Sequence, residues 1–167
     1  MTQTLTMQKK QLSRLMELCV LKYGFTKNIT MKIQPNNVKY KKFKKGTLKK
    51  IEFKSTKLTF GKIGLKACES GIVKTKQIEA ARQAITRKIK RKGKLWIKIF
   101  PYLNVTSKST GVRMGKGKGQ VSYWIAKVTK GNIIFELCGP GITLSKAALQ
   151  LGKYKLPIKT KIVTLDF

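Results

Sequence analysis

The sequence contains no histidine and only six acidic residues, Glu17, Glu52, Glu69, Glu79, Glu136 and Asp166. The usual general base and the commonest metal ligand are therefore missing. The carboxylates are too widely spaced along the chain to make a local acid–base pair. Cysteine is also sparse: Cys19, Cys68 and Cys138 are odd in number and include no C-x-x-C pair. That pattern argues against a zinc site and a disulfide framework, and reads as free thiols in a reducing compartment. No apolar run approaches the roughly 18 residues that a membrane span requires. Arginine is scarce too, with five Arg beside 33 Lys among the 38 basic residues. Phosphate binding does not explain that bias, because arginine is the better bidentate ligand, whereas an AT-rich gene of the organellar kind, with its A-rich lysine codons, would. These absences leave no catalytic group, no metal site and no cofactor to propose.

What the sequence does have is charge of one sign. The formal net charge is +32 on 167 residues, yet 41% of the residues are hydrophobic, enough for one buried core plus a tail. Such a chain repels itself unless a polyanion supplies the missing charge, so the partner is expected to be nucleic acid, bound with strong salt dependence.

Three segments follow in order. Residues 1–33 carry scattered bases with Leu12, Leu15, Met16, Leu18 and Cys19 at roughly helical spacing, and read as a partly helical extension retained from Met1. Residues 34–57 combine Pro35, two asparagines and many lysines with Tyr40 and Phe43, the composition of a basic RNA-binding arm without a core of its own. Residues 58–167 have the patterning of a globular domain. In it, Leu58–Ala67 is strand-like, and Thr75 caps an expected helix from Lys76 to Lys92 that stops at Gly93. Ile78, Ala81, Ile85 and Ile89 form its apolar stripe, while Lys76, Arg87, Lys90 and Arg91 gather on the opposite side as candidate RNA contacts. Lys94–Phe100 is a strand, Tyr102–Thr110 a polar loop, and Val112–Met114 the start of another strand. Further strands are expected at Gln120–Thr129, Asn132–Cys138 and Ile158–Leu165, with a second helix near Leu144–Lys155 whose inner face is Leu144, Ala148 and Leu151. The sum is an α+β fold, two helices packed on a mixed or antiparallel sheet as a sandwich, with a basic arm and extension in front.

Between the strands lies Gly111–Gly119, which contains Arg113, Met114, Gly115, Lys116, Gly117, Lys118 and Gly119. Glycine admits positive φ and close main-chain approach to an anion, and three bases supply charge. The loop is neither a Walker loop nor a dinucleotide fingerprint, because G-x-G-x-G here leads into a strand where both of those motifs lead into a helix.

The blocks QIEAAR (77–82), GKLWIKIFP (93–101), VRMGKGKG (112–119), YWIA (123–126), FELCG (135–139) and LPIKT (156–160) resemble, in order and spacing, bacterial-type large-subunit ribosomal protein L-sixteen. With Gln34-Pro35 at the family's usual start, the resemblance covers about four-fifths of the chain. It implies an α+β protein lying on large-subunit ribosomal RNA near the base of the central protuberance, beside the elbow of aminoacyl-site tRNA. Neighbouring large-subunit proteins are further partners, and neither catalysis, a membrane nor a homo-oligomer is implied. It places Lys39, Lys41, Lys42, Lys44 and Lys45 in an arm that runs into RNA, and the loop 113–119 close to ribosomal RNA and tRNA. The 33-residue extension is foreign to typical bacterial and plastid members, and residues 46–57 match the usual arm poorly. With the lysine bias, the extension favours a mitochondrial ribosome over a plastid or bacterial one. The alternative is a free nucleic-acid-binding protein, histone-like or an RNA chaperone, which would not sediment with the large subunit.

Overall fold

The computed structural model describes residues 34–48, 51–90, 92–115, 117–139 and 141–165. The expected extension helix in residues 1–33 lies outside them. Among the described residues seven strands and two helices follow in the order β1 (Ile63–Ala67), β2 (Gly71–Lys74), α1 (Thr75–Lys88), β3 (Lys94–Ile97), β4 (Leu103–Ser107), β5 (Gln120–Val128), β6 (Ile133–Cys138), α2 (Ile142–Lys153) and β7 (Thr160–Thr164). They form a four-stranded sheet ordered β3-β6-β1-β7 and a three-stranded sheet ordered β2-β5-β4. Every ladder pairing between these strands is antiparallel. The two helices pack on each other, α1 against β2 and β5, α2 against β1 and β7. The architecture is therefore α+β.

The core is built by period-two and period-3.6 patterns that meet. Ile63 and Leu65 of β1 stand opposite Leu137 and Phe135 of β6, which in turn oppose Leu95 and Ile97 of β3, so one sheet face is continuously apolar. Onto it pack Ile78, Ala81, Ile85 and Ile89 of the α1 stripe, all essentially inaccessible, with Ala148 and Leu149 of α2. Each of these isoleucine and leucine side chains contributes about 1.5–3 kcal/mol when fully buried.

Several boundaries differ from those the sequence suggests. The first helix ends at Lys88, a turn before Gly93, because Ile89 stays in the core while Lys90 takes φ of 50° and turns the chain toward β3. Its N-cap is Lys74, whose backbone N–H donates to Gln77 Oε1 at 2.9 Å. Thr75 lies inside the helix and donates its hydroxyl to the Trp124 carbonyl at 3.0 Å. Within Tyr102–Thr110, expected to be loop, lies β4. Leu103 and Asn104 are buried there and the strand pairs with β5, so tertiary pairing overrides the polar composition. Val112–Met114 forms no strand and stays exposed in the connection. The strand expected from Leu58 begins at Ile63, because residues 59–61 cross beside β6 and give their backbone N–H groups to a side chain in place of a strand ladder. In α2, Leu151 is exposed and the inner face is Ser145, Ala148, Leu149 and Gly152. The reason is close helix contact, since a Cβ on Gly152 would lie 2.7 Å from the end of Ile85.

That crossing segment is held by one carboxylate. Glu136, fully buried, accepts from the backbone N–H of Thr59 at 3.2 Å, of Phe60 at 2.6 Å and of Gly61 at 2.9 Å, with Lys98 Nζ at 3.6 Å. Upstream, Glu52 N–H donates to the Lys130 carbonyl at 3.0 Å, and Ser55 Oγ bonds Asn132 Oδ1 at 3.0 Å. Residues 51–61 are thus a strap laid over the sheet.

Candidate nucleic-acid interface

The arm and the glycine loop, far apart in sequence, are brought together on the β4–β5 hairpin. Asn104 of β4 is 4% exposed and uses both ends of its amide on the arm. Its Nδ2 donates to the Lys41 carbonyl, and its Oδ1 accepts the Phe43 N–H at 3.3 Å. A side-chain amide thereby imitates a strand edge for a segment that forms no strand. Beside it a reciprocal pair closes the joint: Lys42 Nζ donates to the Lys118 carbonyl and Lys118 Nζ to the Phe43 carbonyl, each at 2.7 Å. Lys39, Lys41, Lys42, Lys44 and Lys45 are all exposed, while Phe43 is half-buried against the hairpin.

The loop itself projects. Arg113, Met114, Gly115, Gly117 and Lys118 are exposed, Met114 at 93%, and Lys116 lies outside the described residues. Gly115 and Gly117 take φ of 96° and 75°, the left-handed region expected of them. Lys108 Nζ donates back to the Gly115 carbonyl at 2.5 Å, drawing the loop over its own stem. Gly119 is required for another reason, because a Cβ there would strike the Ser107 carbonyl across the hairpin.

The helix contributes at two separate places. Lys76, Gln83 and Arg87 fall on one side of α1 by their spacing, and Lys90, past the helix end, joins Gln83, Thr86 and Arg87 in lining a hollow of about 560 Å³. Arg91 lies outside the described residues. Lys76, about 16 Å along the axis from Arg87, instead borders a groove shared with the arm. So the structure joins the arm, the loop and Lys76, and leaves Arg87 and Lys90 at the far end of the helix.

Electrostatically the surface is undiluted, because the described acids bond inward or to their own element. Glu52 accepts from Lys54 N–H, Glu69 from Lys159 N–H at 2.7 Å, and Glu136 from the strap. Glu79, the acid of α1, binds the Arg82 guanidinium at 2.6 and 2.9 Å and Gln83 Nε2 at 3.1 Å. The Arg82 hydrogen bond is the main cause that holds the Glu79 carboxyl below its ordinary range, against the opposing effect of partial burial. The same bond raises the Arg82 guanidinium. This i,i+3 pair sits beside the basic stripe, whose own cations face no carboxylate at i,i+4.

Sequence reasoning missed Asn104, Lys74, Lys108, Tyr123 and Gln34 as parts of this surface. Asn104 carried little signal, since it is buried beside Leu103 in a strand of five residues with no clean alternation. The others are defined only by the folded arrangement.

The same residues match known proteins. The ribosomal protein L16p/L10e family matches residues 35–163. The large ribosomal subunit protein uL16 of Bartonella henselae is 51% identical over 131 residues, which is 78% of this chain and 96% of that protein. The protein of that name from Cereibacter sphaeroides is 51% identical over 134 residues, 80% of this chain and 98% of its own. The one from Sinorhizobium medicae is 49% identical over 131 residues, 78% of this chain and 96% of its own. With its α+β fold, its glycine-lysine loop and a family match running from the start of the arm to the last strand, this chain belongs to the ribosomal protein L16p/L10e family.

Proposed function

We propose that this chain binds large-subunit ribosomal RNA near the base of the central protuberance and helps to position aminoacyl-site tRNA. Its structural, non-enzymatic place in the large ribosomal subunit follows from the family and from relatives at about half identity. The finer reading is supported above all by the joint that ties Lys42 and Phe43 of the arm to Lys118 of the glycine loop. Two basic segments fixed to each other present one cationic edge to a folded polyanion, and two independent tails would not. Recognition is by phosphate, 2′-hydroxyl and shape, because the major groove of A-form RNA is too narrow for side chains.

The arm lysines and Lys76, Arg87, Lys90 and Arg91 contact ribosomal RNA in this reading, with Arg113 and the loop 114–119 nearest the tRNA. The lysine bias and the length of chain ahead of the family match support a mitochondrial ribosome. In subunits carrying the double substitution Lys116→Ala and Lys118→Ala, aminoacyl-site tRNA binding should fall several-fold while the isolated protein keeps its circular dichroism. Unchanged tRNA binding together with unchanged subunit maturation would sink the reading. Sedimentation apart from the large subunit at moderate salt would favour a free RNA chaperone instead.

A further inference from the structure

Where the arm meets the sheet there is a groove of about 660 Å³ that the RNA-binding reading leaves unassigned. It exists because of strand register. β2 runs out at Lys74, opposite Ile125, so the first half of β5 pairs with β4 alone, and Gln34, Val38 and Lys41 of the arm line the groove beside it. Tyr123, 39% exposed, and half-buried Trp124 lie in that stretch. The Trp124 indole N–H donates to Gln34 Oε1 at 3.1 Å, and its carbonyl accepts from Thr75 at 3.0 Å, so the arm and α1 both hold this part of the groove. Lys41, Lys74 and Lys76 line the groove, Lys74 Nζ lies 5.1 Å from the centre of the Tyr123 ring, and no acid is among the lining residues.

We infer that this groove takes one unpaired nucleotide of RNA, its base stacked on Tyr123 and its flanking phosphates held by Lys41, Lys74 and Lys76. The inference rests on the RNA-binding reading above and adds a class of ligand to it. A paired backbone would satisfy the lysines but keeps its base faces inside its own stack, unavailable to the Tyr123 ring. An extruded base offers both a π-face and phosphates. Lys74 already rests on the ring, and a stacking base brings a phosphate for that ammonium to move to. Such stacking tolerates any base, so the groove selects unpairedness ahead of sequence.

The test uses the full chain and two RNA hairpins, one with a single bulged 2-aminopurine and one fully paired. The chain should bind the bulged hairpin about 5- to 100-fold more tightly and quench the 2-aminopurine fluorescence. Tyr123→Ala should erase both effects and Tyr123→Phe keep them. Lys118→Ala should weaken both hairpins while leaving their ratio intact. Because Tyr123 is outside the core, circular dichroism of the Ala variant should match the parent. Equal affinity for the two hairpins, or a preference that survives Tyr123→Ala, would overturn the inference and leave the large-subunit reading standing. Failure of the chain to associate with the large subunit would count against that reading instead.

Discussion

Glu136 shows how much a single side chain decides when it is buried with a charge and surrounded by donors. Replacing it with Ala leaves three backbone N–H groups without their acceptor and the Lys98 ammonium without its counter-charge. Chemical denaturation should show a loss of about 3–5 kcal/mol, the cost of breaking a buried charged network from one side. Glu136→Gln keeps the shape and should lose less, about 1–3 kcal/mol. Equal stability of all three proteins would contradict the role. Two glycines allow a sharper comparison. A Cβ at Gly119 meets the Ser107 carbonyl, so Gly119→Ala should cost about 1–3 kcal/mol as backbone is pushed apart. Gly115→Ala meets open space and only a disfavoured φ, so it should cost about 1 kcal/mol. Thermal melts in which Gly115→Ala is the worse variant would reverse the assignment. The glycines were legible as a group from the sequence, but which were needed for φ and which for close approach was not. That distinction depends on the hairpin partner.

At the scale of elements, α1 was the most legible, since its stripe of Ile78, Ala81, Ile85 and Ile89 has one period and one burial pattern. Its end was not, because Ile89 satisfies the helical pattern while the chain has already begun to turn. β4 was missed for the opposite reason: a short strand that buries Asn104 and leaves Thr106 half-exposed has too little alternation to announce itself. The Glu79–Arg82 pair of α1 gives a pH effect of definite sign. The folded-state value of Glu79 lies below its ordinary 4.5. The pair's contribution is therefore present above the unfolded value and is lost as pH falls from there through the folded one. On an exposed helix it amounts to about 0.3–0.5 kcal/mol. NMR titration of the Glu79 side-chain carboxyl should place its midpoint below 4.5, and Arg82→Gln should move it back up. A midpoint insensitive to Arg82 would assign the shift elsewhere.

For the whole molecule the governing quantity is the charge of +32. Without a polyanion the exposed arm, loop and α1 cations repel one another across distances comparable to the Debye length of about 10 Å at 0.1 M salt. The melting temperature of the isolated chain should therefore rise as sodium chloride is raised from about 0.05 to 0.3 M. Stoichiometric RNA should raise it further, because a ligand bound to the native state alone stabilises that state. A melting temperature that falls with salt in RNA-free buffer would show that the surface charges are already compensated. The sign of the partner was legible from composition. The union of arm and loop was not, because it depends on Asn104 and on two lysines that bond main-chain carbonyls, groups every sequence has.

The arm and strap find several of their anchors far downstream. Phe43 waits for Asn104 and Lys118, the strap waits for Glu136, and Gln34 waits for Trp124, separations of 61, 75, 77 and 90 residues. The joint of arm and loop therefore cannot close before residue 118 has been made, nor the strap be fastened before Glu136, so the lysines of residues 39–45 gain their fixed placement only once strands β4 to β6 exist.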